Sequence, residues 1–135
     1  MATIASFLHP KKDVAFITST SSMKEALEVL EHHYYTAIPI IDEQGYYIGT
    51  LSEGDLLWKL KQTPGLTFEN ADQVPIMDIK KHIFNESVML DADLDDMLQL
   101  ATDQNFVPVV DAQGLFLGLI RRKDIIAYYT RNIMD

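Results

Sequence analysis

The chain has 135 residues, 47% of them hydrophobic and 23% charged, enough for one compact domain or for two small halves sharing a core. Eleven Lys and Arg against twenty Asp and Glu leave a net charge of −9, which excludes duplex nucleic acid and anionic membrane surfaces as partners because both need a broad basic face. The absence of cysteine excludes a disulfide scaffold, zinc fingers, iron–sulfur clusters and thiol catalysis. No apolar run is long enough to span a bilayer. Met1 to Pro10 has neither a basic leader nor a continuous apolar core, so a soluble cytoplasmic protein is expected.

In chain order, residues 1–13 read as a lead-in that packs on the second half of the chain. Val14-Ala15-Phe16-Ile17 is a short apolar strand. A helix starts behind Ser22-x-x-Glu25, a capping box, and carries Met23, Ala26, Leu27 and Leu30 at the i, i+3, i+4, i+7 spacing of an amphipathic stripe. A strand ending at Ile41, a tight DEQG turn and a second strand over Tyr46–Leu51 follow, and then a helix with Leu56, Leu57 and Leu60. Gln62-Thr63-Pro64-Gly65 breaks the chain, and the connector holds a short helix over Pro75–Lys81. The series then repeats. Val88-Met89-Leu90 is a strand, and a helix starting behind Asp91 to Asp96 carries Leu94, Met97, Leu98 and Ala101. A strand to Val110, a DAQG turn, a strand over Leu115–Ile120 and a helix with Ile125, Ile126, Tyr129 and Ile133 complete it.

The duplication is visible residue by residue. Pro39/Pro108, Asp42/Asp111, Gln44/Gln113, Gly45/Gly114, Gly49/Gly118 and Asp55/Asp124 are each 69 apart, six identities over seventeen positions. The expected division is 1–65 for the first unit with the lead-in and 66–135 for the connector helix and the second unit.

Tyr35-Thr36-Ala37-Ile38-Pro39-Ile40-Ile41-Asp42 with Gly49-Thr50-Leu51-Ser52-Glu53-Gly54-Asp55, and the second-copy counterparts of both, resemble a tandem pair of cystathionine-β-synthase (CBS) domains. The chain is also similar to the stand-alone CBS pairs of Gram-positive bacteria. The resemblance implies an α/β (α+β) fold of duplicated strand-helix-hairpin-helix units related by a pseudo-twofold. It further implies a regulatory module that senses an adenine nucleotide (AMP, ATP or cyclic di-AMP) in clefts between its halves. In the family the aspartate of the G-h-h-[ST]-x-x-D motif holds ribose hydroxyls. Carried over, Asp124 faces Val14, Ala15, Thr36 and Ala37, with Tyr35 near the adenine, and Asp55 with Ser52 faces Asn85, Asn105 and Phe106. The second motif departs from the pattern, with Arg121 where Ser or Thr is usual.

Ser52-x-x-Asp55 alone also fits a helix cap with an acidic first turn. Arg121-Arg122-Lys123 lies at a helix start, where positive charge opposes the macrodipole and an anion would reverse the sign, so phosphate contact is expected there and the Asp124 cleft is the favoured one. Asp91-x-Asp93-x-Asp95 lacks the glycine and closing glutamate of a calcium loop and reads as an acidic helix start. His32 and His33 read as a helix end, with no metal or other cofactor expected. No catalytic frame is present, so a non-enzyme is expected. The expected partners are a nucleotide, a second copy through helices containing Leu27, Leu30, Leu57 and Leu98, and a separate effector protein. The alternative is a dimerisation adaptor with vestigial clefts.

Overall fold

The computed structural model describes residues 3–33 and 35–134, the side chains of 132–134 excepted, so Tyr34 and the expected role of the Ile133 side chain lie outside the described residues. In chain order the elements are α1 (Ile4–Phe7), β1 (His9–Pro10), β2 (Ile17–Thr18), α2 (Met23–His33), β3 (Ala37–Ile41), β4 (Tyr47–Ser52), α3 (Glu53–Gln62), β5 (Val88–Met89), α4 (Leu94–Ala101), β6 (Phe106–Val110), β7 (Phe116–Arg121) and α5 (Arg122–Met134). Short 3₁₀ turns occupy Lys11–Asp13, Ala71–Gln73 and Ile76–Asp78. The strand expected from Val14 begins only at Ile17, and the connector helix is a single 3₁₀ turn behind Pro75.

The chain forms two compact units, residues 15–84 and residues 1–14 with 85–135. This differs from a division at 65/66, and the reason is where the connecting segments bury their apolar side chains. Connector residues Ala71, Ile76 and Ile79 join Ile17, Met23, Ala26, Leu30, Ile38, Ile40, Leu51 and Leu56 in the core of the first copy. Ile4 and Phe7 join Val88, Met97, Ala101, Val107, Val109, Ile120 and Ile125 in the core of the second. The lead-in therefore packs on the second half, as its sequence leads one to expect.

In the 15–84 unit a three-stranded sheet runs β2-β3-β4, β2 parallel to β3 and β3 antiparallel to β4. A parallel pair needs a crossover, and α2 supplies it. Ser22 caps α2, its Oγ accepting from the Glu25 N–H at 3.2 Å and its hydroxyl donating to Glu25 Oε1 at 3.4 Å. Met23, Ala26 and Leu30 face inward, as the spacing predicts, and Leu27 is half-buried. The connector docks on the start of the same helix, where the Met23 N–H donates to the Val74 carbonyl at 2.7 Å and the Ile76 N–H to the Ser21 carbonyl at 3.0 Å.

The other unit repeats this plan with β5-β6-β7, with α4 as crossover, and adds β1 antiparallel on the free edge of β7. Asp93 precedes α4, with Asp95 and Asp96 in its first turn, where negative charge suits the macrodipole. The hairpins of both units are the same object. Asp42 Oδ1 accepts from the N–H groups of Gln44 and Tyr46, Asp111 Oδ1 from those of Gln113 and Leu115. Gly45 and Gly114 take φ of 99° and 93°, open to glycine at little cost. Register shifts fall between Ile40 and Ile41 and between Val109 and Val110, equivalent positions of the repeat.

Gly118 is where the copies diverge. Its backbone passes so close to β1 that a Cβ there would overlap the His9 carbonyl oxygen, whereas a Cβ at Gly49 would meet nothing within 4 Å. Among the described residues no helix is long and apolar enough to cross a membrane.

Candidate functional site

Each unit places one aspartate in the first turn of the helix that follows its hairpin, and the two carboxylates have different surroundings. Asp55 and Ser52 form a reciprocal capping box at the start of α3. The Ser52 N–H donates to Asp55 Oδ2 at 2.9 Å and the Asp55 N–H to Ser52 Oγ at 3.1 Å. The connector supplies the rest, because His82 donates to Asp55 Oδ1 from its backbone N–H at 2.8 Å and from Nδ1 at 2.7 Å. An ionised carboxylate only accepts, so all of these groups are donors. With both oxygens engaged and the residue 1% exposed, Asp55 is a structural cap that also ties down the connector. Among the described residues its partners all lie within its own unit.

Among the described residues Asp124 has one partner. His9 Nε2 donates to its Oδ2 at 2.6 Å, and both side chains are 36% exposed. Oδ1 carries no hydrogen bond among the described residues, so one oxygen is held and the other is open. Position 121 explains the difference. Ser52 can receive the N3 amide of its helix, but its repeat equivalent Arg121 has no oxygen to do so, and Asp124 is left out of a capping box. Arg121 is the last residue of β7, and Arg122 and Lys123 begin α5. The Arg122 Nε donates to the Gln104 carbonyl at 2.9 Å, which fixes its stem, and Lys123 is exposed.

The remaining expected site residues are distributed over both units. Thr36 is exposed, and its carbonyl accepts from the Glu53 N–H; the repeat reproduces this bond at Asn105, whose carbonyl accepts from the Arg122 N–H. These two bonds bring residues before β3 and β6 to the starts of α3 and α5. Ala37 and Ala15 are half-buried, Val14 and Asn85 are buried, and Phe106 is buried within β6. The Tyr35 ring stacks on His33 at 5.0 Å between centroids and lines a groove of its own unit. His9, His82 and Gln104 carry contacts that the sequence did not single out. Gln104 is buried and holds the segment before β5, accepting from the Glu86 N–H and donating to the Glu86 carbonyl. The one available signal for the histidines is that each follows a spaced apolar pair of a lead-in, Ile4/Phe7 or Ile76/Ile79.

Two concavities lie in the 15–84 unit. A polar pocket of 200 Å³ is bounded by Asp55, Trp58, Lys59 and Gln62 on α3 and by Asp78, Lys80 and His82 on the connector. A larger groove of 690 Å³ runs between α2 and α3 over Leu27, Leu30, Tyr35, Leu57, Leu60 and Phe68. Leu57 is 60% exposed there, whereas Leu30 mainly serves the core.

Comparison with known proteins follows the same outline. CBSX2, a chloroplastic CBS domain-containing protein of Arabidopsis thaliana, is 25% identical over 148 residues, covering 92% of this chain and 62% of its own. The chain thus spans less than two thirds of the length of that plant relative. Cyclic di-AMP receptor B of Bacillus subtilis is 23% identical over 137 residues, covering 98% of this chain and 89% of its own. Among solved structures, CbpB in complex with c-di-AMP superposes with a TM-score of 0.83 at 25% identity, over 99% of this chain and 88% of that one. A CBS domain protein from Streptococcus pneumoniae gives 0.83 at 27%, over 97% and 88%. The CBS domain family matches residues 4–62 and 74–131, one copy of the repeat each, and the chain belongs to that family as a tandem pair of CBS domains.

Proposed function

We propose that this protein is a regulatory adenine-nucleotide sensor of the cytoplasm that binds its ligand at Asp124 and passes the signal to a separate effector protein, with no catalytic step of its own. One observation carries the choice of site: Asp124 keeps an open carboxylate oxygen at a half-exposed helix start, whereas Asp55 has both oxygens engaged inside its unit. The open oxygen suits a ribose hydroxyl, and a carboxylate is a strong acceptor for one. The first-turn N–H groups and the cations at 122 and 123 suit phosphate. Val14, Ala15, Tyr35, Thr36, Ala37 and Arg121 are the further candidate contacts. Relatives support the ligand class: CbpB is solved with c-di-AMP, and the Bacillus subtilis relative is a cyclic di-AMP receptor. Assembly as a homodimer through the α2–α3 groove belongs to the same proposal, because a 690 Å³ apolar groove with Leu57 and Phe68 exposed gains by burial.

The test is thermal unfolding with AMP, ATP and cyclic di-AMP. Ligand at a hundred times its dissociation constant adds about 2.7 kcal/mol and raises the melting temperature by several degrees. Asp124→Ala and Lys123→Glu reduce the shift, the second by setting a carboxylate against phosphate. If none of the three nucleotides moves the wild-type curve, the sensor reading is wrong and a dimerisation adaptor takes its place.

A further inference from the structure

We infer that His9 is a positioning residue for nucleotide binding: it holds the Asp124 carboxylate so that Oδ1 is the oxygen presented to ligand. The inference rests on the assignment of Asp124 as a ligand contact and adds a residue outside the repeated motif.

The geometry is specific. His9 lies on β1, which pairs antiparallel with β7 at His9↔Leu119 and Pro10↔Gly118. The β7 strand leads directly into α5, so the lead-in lies alongside the strand that delivers Asp124. That approach is possible because residue 118 is glycine: any side chain there would overlap the His9 carbonyl oxygen. The placement of His9 is thus built into the backbone of the second copy. From it, Nε2 reaches Asp124 Oδ2 at 2.6 Å.

The first copy shows what the same aspartate does with a different complement of donors. Asp55 is locked by three donors, two of them from His82, and neither of its oxygens is without a partner. Among the described residues Asp124 has a single donor. One bond removes rotational freedom from a half-exposed side chain without filling it, and an acceptor ordered in advance binds more tightly than a freely rotating one. Arg122 and Lys123 share the first turn of α5 with Asp124, and His9 is the titratable residue of β1.

Isothermal titration with cyclic di-AMP and with AMP tests the inference on wild type, His9→Ala, His9→Gln, Asp124→Ala and the His9→Ala/Asp124→Ala double variant. His9→Ala is expected to weaken binding about fivefold, by releasing the carboxylate rotamer. His9→Gln keeps an N–H donor at similar reach and recovers most of the loss. Asp124→Ala weakens binding about thirtyfold, and adding His9→Ala to it costs nothing more, because there is no carboxylate left to orient. A purely structural histidine would give the same loss in both backgrounds, which overturns the inference. So does a His9→Ala variant that binds as tightly as wild type or tighter, which would make His9 a competitor for Asp124. Wild type that binds neither these two nucleotides nor ATP, or Asp124→Ala that binds as wild type does, overturns the site assignment itself and is distinguishable from the other outcomes.

Discussion

Replacing Asp55 by alanine should destabilise the protein far more than replacing Asp124, although the two occupy equivalent positions of the repeat. In Asp55→Ala the Ser52 and His82 backbone N–H groups both lose their acceptor. The first is buried, and stranding it costs about 1–3 kcal/mol; the second is partly buried and re-solvates for about 1 kcal/mol. The His82 ring, 44% exposed, returns to water at little cost. The expected loss is about 2–4 kcal/mol. Asp124→Ala breaks one pair whose partners are each 36% exposed, and solvent screening holds that loss below about 1 kcal/mol. Urea unfolding separates the cases. The protein has a single tryptophan, Trp58, on α3 beside Asp55, so its fluorescence reports the unit that carries the lock. Far-UV circular dichroism follows the whole chain. Equal losses in the two variants, or a larger one in Asp124→Ala, would refute the division of labour between the aspartates.

Gly118→Ala should expel β1 from the edge of β7 and uncover Ile4 and Phe7, lowering stability by about 2–4 kcal/mol. Gly49→Ala, with open space around it, should stay within about 1 kcal/mol of wild type in the same urea titration. If two copies pair through the α2–α3 groove as proposed, Leu57→Lys should leave only monomer by light scattering at micromolar concentration, while the fold of each unit is kept because Leu57 is already 60% exposed. Burial pushes the Tyr47 phenol above its ordinary value, and the 2.7 Å bond to Thr50 Oγ1 draws it part of the way back. A raised folded value means that this contribution to stability is fully present below about pH 10 and is lost as pH rises through the folded value. Spectrophotometric titration of tyrosinate should show a late-ionising component that is missing in Tyr47→Phe.

The repeat made the hairpins, the crossover helices and the inward stripes of Met23/Ala26 and Met97/Ala101 legible, because each depends on local periodicity and turn chemistry that a short window contains. The Asx turns at Asp42 and Asp111 are legible for the same reason. The partners of the two aspartates are not. His9 and Asp124 are 115 residues apart and His82 and Asp55 are 27 apart, and no local pattern announces either pair. The helix cap reading of Ser52-x-x-Asp55 was available from spacing alone, but that the cap consumes both oxygens depends on where the connector docks. The strand from His9 to Pro10 escapes periodicity, since two residues cannot alternate. The short helix expected in the connector is a single 3₁₀ turn, with Ile76 and Ile79 both buried in the core.

The interleaving of the units has a consequence for the order in which the chain acquires structure during synthesis. Residues 15–84 are contiguous and can close their core once they have left the ribosome, but the first fourteen residues belong to a unit whose β7 is not made until residue 121. At about 5–20 residues per second, Ile4 and Phe7 wait roughly 5–20 s for the sheet edge that covers them. Throughout that interval the nascent chain carries an apolar, unpaired leading segment beside a finished unit, the state in which chaperones and proteases engage a chain. The equilibrium cost of the long closure is small, since doubling a loop adds only about 0.6 kcal/mol. The burden is therefore kinetic, and it falls on a segment whose pairing completes only when the C-terminal strand has arrived.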